Sequence, residues 1–167
     1  PTAQVSQTFV IPVNPVPEVP AISLPATASG TEDLRFALGA ITVTSASADL
    51  DGSEQRFIEI DTTSYPTGTT FWNGASAVGS IVTAGWLRIP ESALPTLQVQ
   101  GPGHFSGPIT LSVRGVVLDT TLSGTSTAVP AAQPIVVTVT PDADATTNPT
   151  SSIGVEDNGA VAVGANL

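Results

Sequence analysis

The chain has 167 residues, 41% hydrophobic and 11% charged, enough to bury one domain-sized core but not two full ones. Its formal net charge of −10 repels nucleic acids and anionic membrane surfaces, and we expect neither as a partner. The absence of cysteine excludes disulfide bonds and thiol chemistry. No apolar run reaches about 18 residues and no signal-like start is present, so we expect no membrane insertion and an internal portion of a longer protein.

Glycine and proline, at 15 residues each, together with frequent Val, Ile and Thr, favour strands and turns and predict an all-β chain. Residues 9–15 are predicted to form a short strand that ends at a proline, followed by an extended, proline-rich linker over 16–20. In the next strand, residues 36–43, the apolar positions change parity at Gly39 and Ala40. A β-bulge at these two residues would return all the apolar side chains to one face.

The remaining elements follow from alternation and turn signals. The strand over 108–119 would span about 40 Å and make the domain elongated. It is predicted to form a hairpin with its partner strand, and long hairpin strands beside shorter ones indicate a β-sandwich. One helical turn is predicted at 90–94. The further strands are predicted at 57–61, with Ile58 and Ile60 inward, at 71–73 before an Asn-Gly hairpin turn, at 86–89 and at 135–140.

Three carboxylates, Asp49, Asp51 and Glu54, crowd around one glycine. Carboxylates this close repel one another unless solvent, an arginine or a cation lies between them, and the chain has four arginines and no lysine. Ca²⁺ accepts about 6–8 oxygen ligands in flexible geometry, which such a turn supplies. The alternatives are a solvated turn and a calcium site; for the calcium site we expect Glu32 to assist. The spacing does not match an EF-hand.

An internal similarity sets the predicted domain boundaries. Residues 9–15 resemble residues 135–141, and the Glu-Asp pair at 32–33 recurs at 156–157. These offsets predict three regions. They are residues 1–19, the last strand and linker of a preceding repeat; 20–141, one complete β-sandwich repeat; and 142–167, the linker and first strand of a following repeat.

Acidic residues are concentrated at the ends of this predicted repeat. Glu32 and Asp33 follow the first linker, and further carboxylates lie in and after the second. Ends of like charge repel, so this placement favours contact between repeats through cations. The carboxylates expected together at the second linker are Asp119, Asp142, Asp144, Glu156 and Asp157.

Catalysis is not expected. His104 is the only histidine, and with no lysine the chain has almost no general base to activate a serine or threonine. No nucleophile-elbow motif precedes a helix. A single histidine also argues against a transition-metal cluster, and we expect His104 to be a loop residue that satisfies backbone groups.

Aromatic residues offer a possible ligand surface. Tyr65, Trp72 and Trp86 are candidates to stack against a sugar ring. Trp86 alternates with Arg88 and is expected in the core, whereas Trp72, beside an Asn-Gly turn, is the possible ligand contact.

The order of these motifs resembles the tandem extender repeats of giant RTX-type bacterial adhesins exported by type I secretion. The most specific matches are residues 49–54 and Pro102–Gly107. The resemblance implies an antiparallel Ig-like or cadherin-like β-sandwich of about seven to nine strands. It implies a Ca²⁺-stiffened spacer, secreted to the bacterial cell surface, with neighbouring repeats as partners and a role in cell adhesion or biofilm formation.

Two features depart from this family. The first linker has Asn14 and Glu18 where the second has Asp142 and Asp144, so the first junction would hold fewer ions. The bulky Phe71-Trp72 leaves room for the alternative function, a module that binds carbohydrate or peptide within such an adhesin.

Overall fold

The computed structural model describes residues 4–12, 14–45, 52–82, 85–121 and 124–143. These residues form thirteen β-strands and one short 3-10 helix, which confirms the predicted all-β class. The strands outnumber the expected seven to nine because some, such as β3 and β7, have only two residues. They are β1 (Ala21–Ser23), β2 (Thr27–Thr31), β3 (Phe36–Ala37), β4 (Thr42–Thr44), β5 (Glu54–Asp61), β6 (Thr70–Asn73), β7 (Ser76–Ala77), β8 (Ser80–Val82), β9 (Trp86–Pro90), β10 (Leu97–Gln100), β11 (Gly107–Thr121), β12 (Gly124–Ala128) and β13 (Gln133–Thr140).

Two sheets enclose the core. The larger has the strand order β2-β13-β11-β5-β9-β8, with β12 also paired to β11, and the smaller has the order β3-β10-β6-β7. A separate two-stranded sheet pairs β1 with β4. Of the described pairs, only β2 and β13 run parallel, and the others are antiparallel. The architecture is therefore the predicted antiparallel β-sandwich with one parallel pair added.

The longest strand sets the shape of the domain. β11 has 15 residues, and at about 3.3 Å per residue its ends lie about 45 Å apart. Its inward side chains Ile109, Leu111 and Val113 are buried, as the period-2 pattern predicts. The first half of β11 pairs with β13, as predicted, while its second half pairs with β12.

The core lies between the larger sheet, the smaller sheet and the 3-10 helix. Ile58 and Ile60 of β5 face inward, as predicted. Together with β11 and β13, the principal buried side chains come from β5, β6, β9, β10 and the helix: Ile58, Ile60, Phe71, Ile89, Ala93, Leu94, Leu97 and Val99.

The bulge predicted at Gly39 and Ala40 does not form. The strand ends before this point, because β3 pairs with β10 in the smaller sheet whereas β4 pairs with β1 in another. Gly39 has a φ of 94°, which favours glycine, where the chain leaves one sheet for the other. Because the chain changes sheets at this break, the apolar positions change parity there. The side chains Leu38, Ile41 and Val43 are nevertheless all buried.

The predicted Asn-Gly hairpin turn is confirmed, and the predicted helical turn takes a different form. Asn73 pairs with Ser76 at the ends of β6 and β7, and Gly74 between them has a φ of 59°. Pro90 caps the start of the 3-10 helix Glu91–Thr96, in place of the predicted helical turn at 90–94. No helix within the described ranges is long and apolar enough to cross a membrane.

Residues 4–12 are solvent-exposed. Residues 9–12 belong to no described strand, and Phe9 is 80% exposed. Among the described residues of the range 9–15, the predicted strand is therefore not formed. Its assignment to a preceding repeat stays a prediction.

Candidate functional site

One end of the sandwich carries three predicted ligand residues. β2 and β13 run parallel with Thr31 opposite Thr140, so the residues that follow them lie side by side. The Glu32 N–H donates to the Thr140 carbonyl at 2.9 Å, and the Asp142 N–H donates to Glu32 Oε1 at 2.8 Å. The Glu32 side chain is largely buried. We call this end, with Glu32, Asp33 and Asp142, the carboxyl-terminal pole.

Asp33 connects this pole to the loop after β10. Its Oδ1 accepts the backbone N–H of His104 at 2.9 Å, and its Oδ2 lies 3.3 Å from His104 Nδ1. Its own carbonyl accepts a hydrogen bond from Gln100 Nε2 at 2.9 Å. His104 is thus a loop residue, as predicted, and it contacts both carboxylate oxygens of Asp33.

The opposite end of the sandwich holds a second acidic group. Asp119 is only 5% exposed, and its Oδ1 accepts the Ser53 hydroxyl at 2.7 Å. Its Oδ2 accepts the backbone N–H of Val16 at 3.0 Å, which attaches the proline-rich linker to the end of β11. Glu54 lies directly opposite Asp119 in the β5–β11 ladder. We call this end, with Glu54, Asp119 and Val16, the amino-terminal pole.

The predicted grouping of these carboxylates is wrong in two respects. Asp119 does not lie near Asp142, because β11 runs antiparallel to β13 and the start of β11, not its end, pairs with the end of β13. Glu32 does not assist Glu54, because they lie at opposite poles. Each pole therefore carries its own acidic group.

The described residues do not make up a complete metal centre. Among them, no three histidine or carboxylate side chains are grouped closely enough to hold a metal ion. Ca²⁺ takes about 6–8 oxygens, so either pole would need further ligands. The predicted ligands that lie outside the described ranges are Asp49, Asp51, Asp144, Glu156 and Asp157.

The two tryptophans lie on outer faces of the sandwich. Trp72 is half-buried, and the guanidinium of Arg35 lies 3.3 Å from its ring centroid. Trp86 was expected in the core, which is wrong. It is also half-buried, with the Arg114 guanidinium 3.6 Å from its ring centroid. Its side chain points away from the core because the inward positions of β9 are Leu87 and Ile89.

A buried ionic cluster that was not predicted from the sequence lies on the outer face of the larger sheet. Glu59 is 2% exposed and lies between Arg114 and Arg88 in the register of three adjacent strands. Arg88 donates Nε and Nη2 to its Oε1 at 2.9 and 2.6 Å, and Arg114 donates the same atoms to its Oε2 at 2.9 and 2.6 Å. Alternation within each strand already indicated that these charged side chains point outward. Whether they contact one another depends on the register between the strands.

Tyr65 packs against Phe71, on the inward face of β6. Its ring meets Phe71 edge-on with centroids 5.4 Å apart. Burial, and secondarily the Asp61 carboxylate, raises the pKa of Tyr65 above its ordinary value. Tyr65 also lines a mostly apolar cavity of about 230 Å³ between the two sheets, with Thr69, Val78, Ile81 and Leu87 among its other walls. Tyr65 and Trp72 therefore do not form one stacking surface.

Comparisons with known proteins give little further information. No family model matches the chain, and no curated protein matches it significantly. Among solved structures, it has a weak similarity to AggA, the major subunit of aggregative adherence fimbriae type I from Escherichia coli. The alignment has 12% identity and a TM-score of 0.37, and it covers 77% of this chain and 100% of AggA. A TM-score this low does not establish a shared topology, so the fold assignment rests on the sheets of this chain.

Proposed function

We propose that this domain is a Ca²⁺-stiffened spacer of a large bacterial cell-surface adhesin, one that holds binding modules away from the cell. In this proposal it is secreted to the cell surface through type I secretion, and its partners are neighbouring repeats of the same chain. The observation that carries the proposal is the position of the acidic groups. One acidic group lies at each end of the elongated sandwich. Each group accepts a backbone hydrogen bond from the segment that enters or leaves the domain.

The amino-terminal pole supports the first half of such a joint. The linker residue Val16 is held by Asp119, and Glu54 lies beside that carboxylate in the ladder. A cation bound here would contact the linker as well as the domain. It could therefore fix the angle between this domain and the one before it.

The carboxyl-terminal pole supports the second half. The Glu32 side chain accepts the backbone N–H of Asp142, the first residue of the predicted second linker. Asp33 lies next to Glu32 in the chain and is part of the same end. In a tandem array this pole would face the amino-terminal pole of the next repeat, and carboxylates from both could complete one coordination shell.

Thermal unfolding in calcium and in EDTA tests this proposal on the 167-residue chain. Extracellular calcium modules bind with dissociation constants of about 10⁻⁴–10⁻³ M. At about 10 mM calcium, one such site adds about 1.4–2.7 kcal/mol to the free energy of unfolding. We expect Tm to rise in calcium and to rise less in magnesium, which demands octahedral geometry and retains its water.

A pair of variants separates metal binding from structure. Asp142→Asn should leave Tm in EDTA unchanged, because among the described residues the exposed Asp142 side chain accepts only the neighbouring Ala143 N–H. It should reduce the calcium-dependent rise. Asp61→Asn, at the end of β5 away from Glu54 and level with the middle of β11, should keep the full rise. A wild-type Tm that is equal in calcium and EDTA would contradict the proposal.

A second candidate function is a ligand-binding module of the same kind of adhesin. One observation favours it: Arg35 lies over Trp72, and none of the carboxylates in the described ranges pairs with it.

A further inference from the structure

The chain contains two arginine-on-tryptophan stacks that differ in one respect. In the first, Arg114 lies over Trp86 and donates two hydrogen bonds to Glu59. In the second, Arg35 lies over Trp72 at a similar distance, 3.3 Å against 3.6 Å. The second stack lacks the carboxylate that completes the first.

The charge of Arg35 is uncompensated within the described part of the chain. Arg56 pairs with Glu91, and Arg88 and Arg114 share Glu59, but no described carboxylate forms an ion pair with Arg35. Within the described ranges it donates one hydrogen bond, from Nη1 to the Gly74 carbonyl, which is long at 3.4 Å. The remaining guanidinium N–H groups present a planar fork of donors that matches the geometry of a carboxylate.

The residues that pair with Trp72 in the smaller sheet are neutral. It precedes β3 on the outer face of the smaller sheet, where Gln98 of β10 lies directly opposite Trp72 of β6. The Trp72 indole N–H donates to the Thr70 hydroxyl at 2.9 Å. Small side chains flank this row, since Ala77 of β7 also lies opposite Trp72. Amides, hydroxyls and small side chains match the hydroxyl groups of a pyranose ring better than the apolar side chain of a peptide.

The net charge of the chain restricts the ligand further. At −10, the protein repels ligands that carry many negative charges. A ligand with one carboxylate on an otherwise neutral body avoids most of this repulsion and can still bind Arg35.

We propose that Arg35 and Trp72 form a binding site for the carboxylate of an acidic saccharide, such as a uronic acid residue in a mostly neutral glycan. Arg35 binds the carboxylate through paired hydrogen bonds. Trp72 holds the guanidinium in place by cation–π stacking, as Trp86 does for Arg114. The site belongs to the second candidate function, ligand binding, and it requires no calcium.

The indole N–H signals provide a direct test, because the chain has only two tryptophans. The ¹⁵N-labelled chain is titrated in EDTA with methyl β-glucuronide and, separately, with methyl β-glucoside, which replaces the carboxylate by a neutral CH₂OH. The glucuronide should shift the Trp72 indole signal in a saturable manner at millimolar concentration, the glucoside should bind at least about tenfold more weakly, and the Trp86 signal should not move.

Variants and a second anion complete the test. Arg35→Gln should abolish the glucuronide shift, while Arg56→Gln, which removes an exposed ion-paired arginine, should leave it unchanged. The spectrum itself reports whether each variant is folded.

Equal shifts with glucuronide and glucoside, no saturable shift, or an equal effect of Arg35→Gln and Arg56→Gln would overturn the proposal. An equally strong response to acetate would overturn the saccharide as the ligand class. Because binding is measured in EDTA, its failure is distinct from a failure of the calcium proposal.

Discussion

Val16 and Asp119 are separated by 103 positions in sequence, yet the N–H of Val16 donates to Asp119 Oδ2 at 3.0 Å. The other oxygen of this buried carboxylate accepts the Ser53 hydroxyl. One side chain thus connects the linker, the segment before β5 and the end of the longest strand. A buried acidic group therefore attaches the predicted linker to the domain at this end.

The ionic cluster around Glu59 should make a large contribution to stability. Glu59→Ala leaves Arg88 and Arg114 half-buried without their carboxylate, and removing one partner of a buried ion pair costs about 3–5 kcal/mol. Because both arginines retain some exposure and can turn toward solvent, we expect a loss of about 3 kcal/mol in the free energy of unfolding, measured by urea denaturation.

The exposed ion pair Arg56–Glu91 provides the control for this prediction. Both side chains are more than a third exposed, so Glu91→Ala should cost less than about 1 kcal/mol. If Glu59→Ala were no more destabilising than Glu91→Ala, the buried cluster would not contribute as described.

Gly30 of β2 should not tolerate a side chain. A Cβ at this position would overlap the ring of Phe36, which crosses over the strand. Forcing extra volume into such a contact typically costs about 1–3 kcal/mol, and we expect a loss in this range for Gly30→Ala by thermal or urea unfolding.

Gly101 is a matched glycine without this contact. A Cβ there would lie 3.6 Å from the Phe105 ring, an ordinary packing distance. Gly101→Ala should therefore change the free energy of unfolding by less than about 1 kcal/mol. Equal destabilisation by the two substitutions would show that the approach of Phe36 to Gly30 is not the cause.

Asp61 should contribute to stability in a pH-dependent way. Its Oδ1 accepts hydrogen bonds from the Thr63 hydroxyl at 2.7 Å and the Thr63 N–H at 2.8 Å. These bonds, the hydroxyl first, hold the pKa of Asp61 below its ordinary value of 3.8. Because the pKa is lower in the folded state, the stabilisation is present above the unfolded pKa and is lost as the pH falls through the folded one.

Removing the hydroxyl tests this assignment. Thr63→Val keeps the branched shape of the side chain, and we expect it to raise the pKa of Asp61 toward 3.8 in an NMR titration of the carboxyl carbon. Thr67→Val, in the turn that follows, should leave that pKa unchanged. An Asp61 pKa that is the same in Thr63→Val and wild type would assign the shift to another cause.

Local patterns predicted most of the strands because alternation is a property of neighbouring residues. Ile109, Leu111 and Val113 of β11 and the inward residues of β5 and β13 are buried as their spacing predicts. The break at Gly39 was visible as a change of parity. The form of the break could not be predicted, because whether a strand bulges or leaves the sheet depends on which other strands pair with its edges.

The candidate site depended on relations between distant strands. Opposite charges on separate strands meet only in one register, so Glu59 and its two arginines could not be paired from spacing alone. The distance between Asp119 and Asp142 could have been predicted from the sequence, because in the predicted hairpin the end of one strand lies beside the start of the next. That geometry already placed Asp119 far from Asp142.

Small-angle X-ray scattering from two tandem repeats joined by the second linker tests the central claim most directly. Without calcium, the carboxylates of facing poles repel and the junction is flexible; with calcium, shared oxygen ligands fix it. We predict that replacing EDTA by calcium increases the maximum dimension and narrows the distance distribution, and that Asp142→Ala combined with Asp144→Ala abolishes both changes. Identical wild-type scattering profiles in calcium and EDTA would contradict a calcium-stiffened joint and, with it, the proposed spacer mechanism.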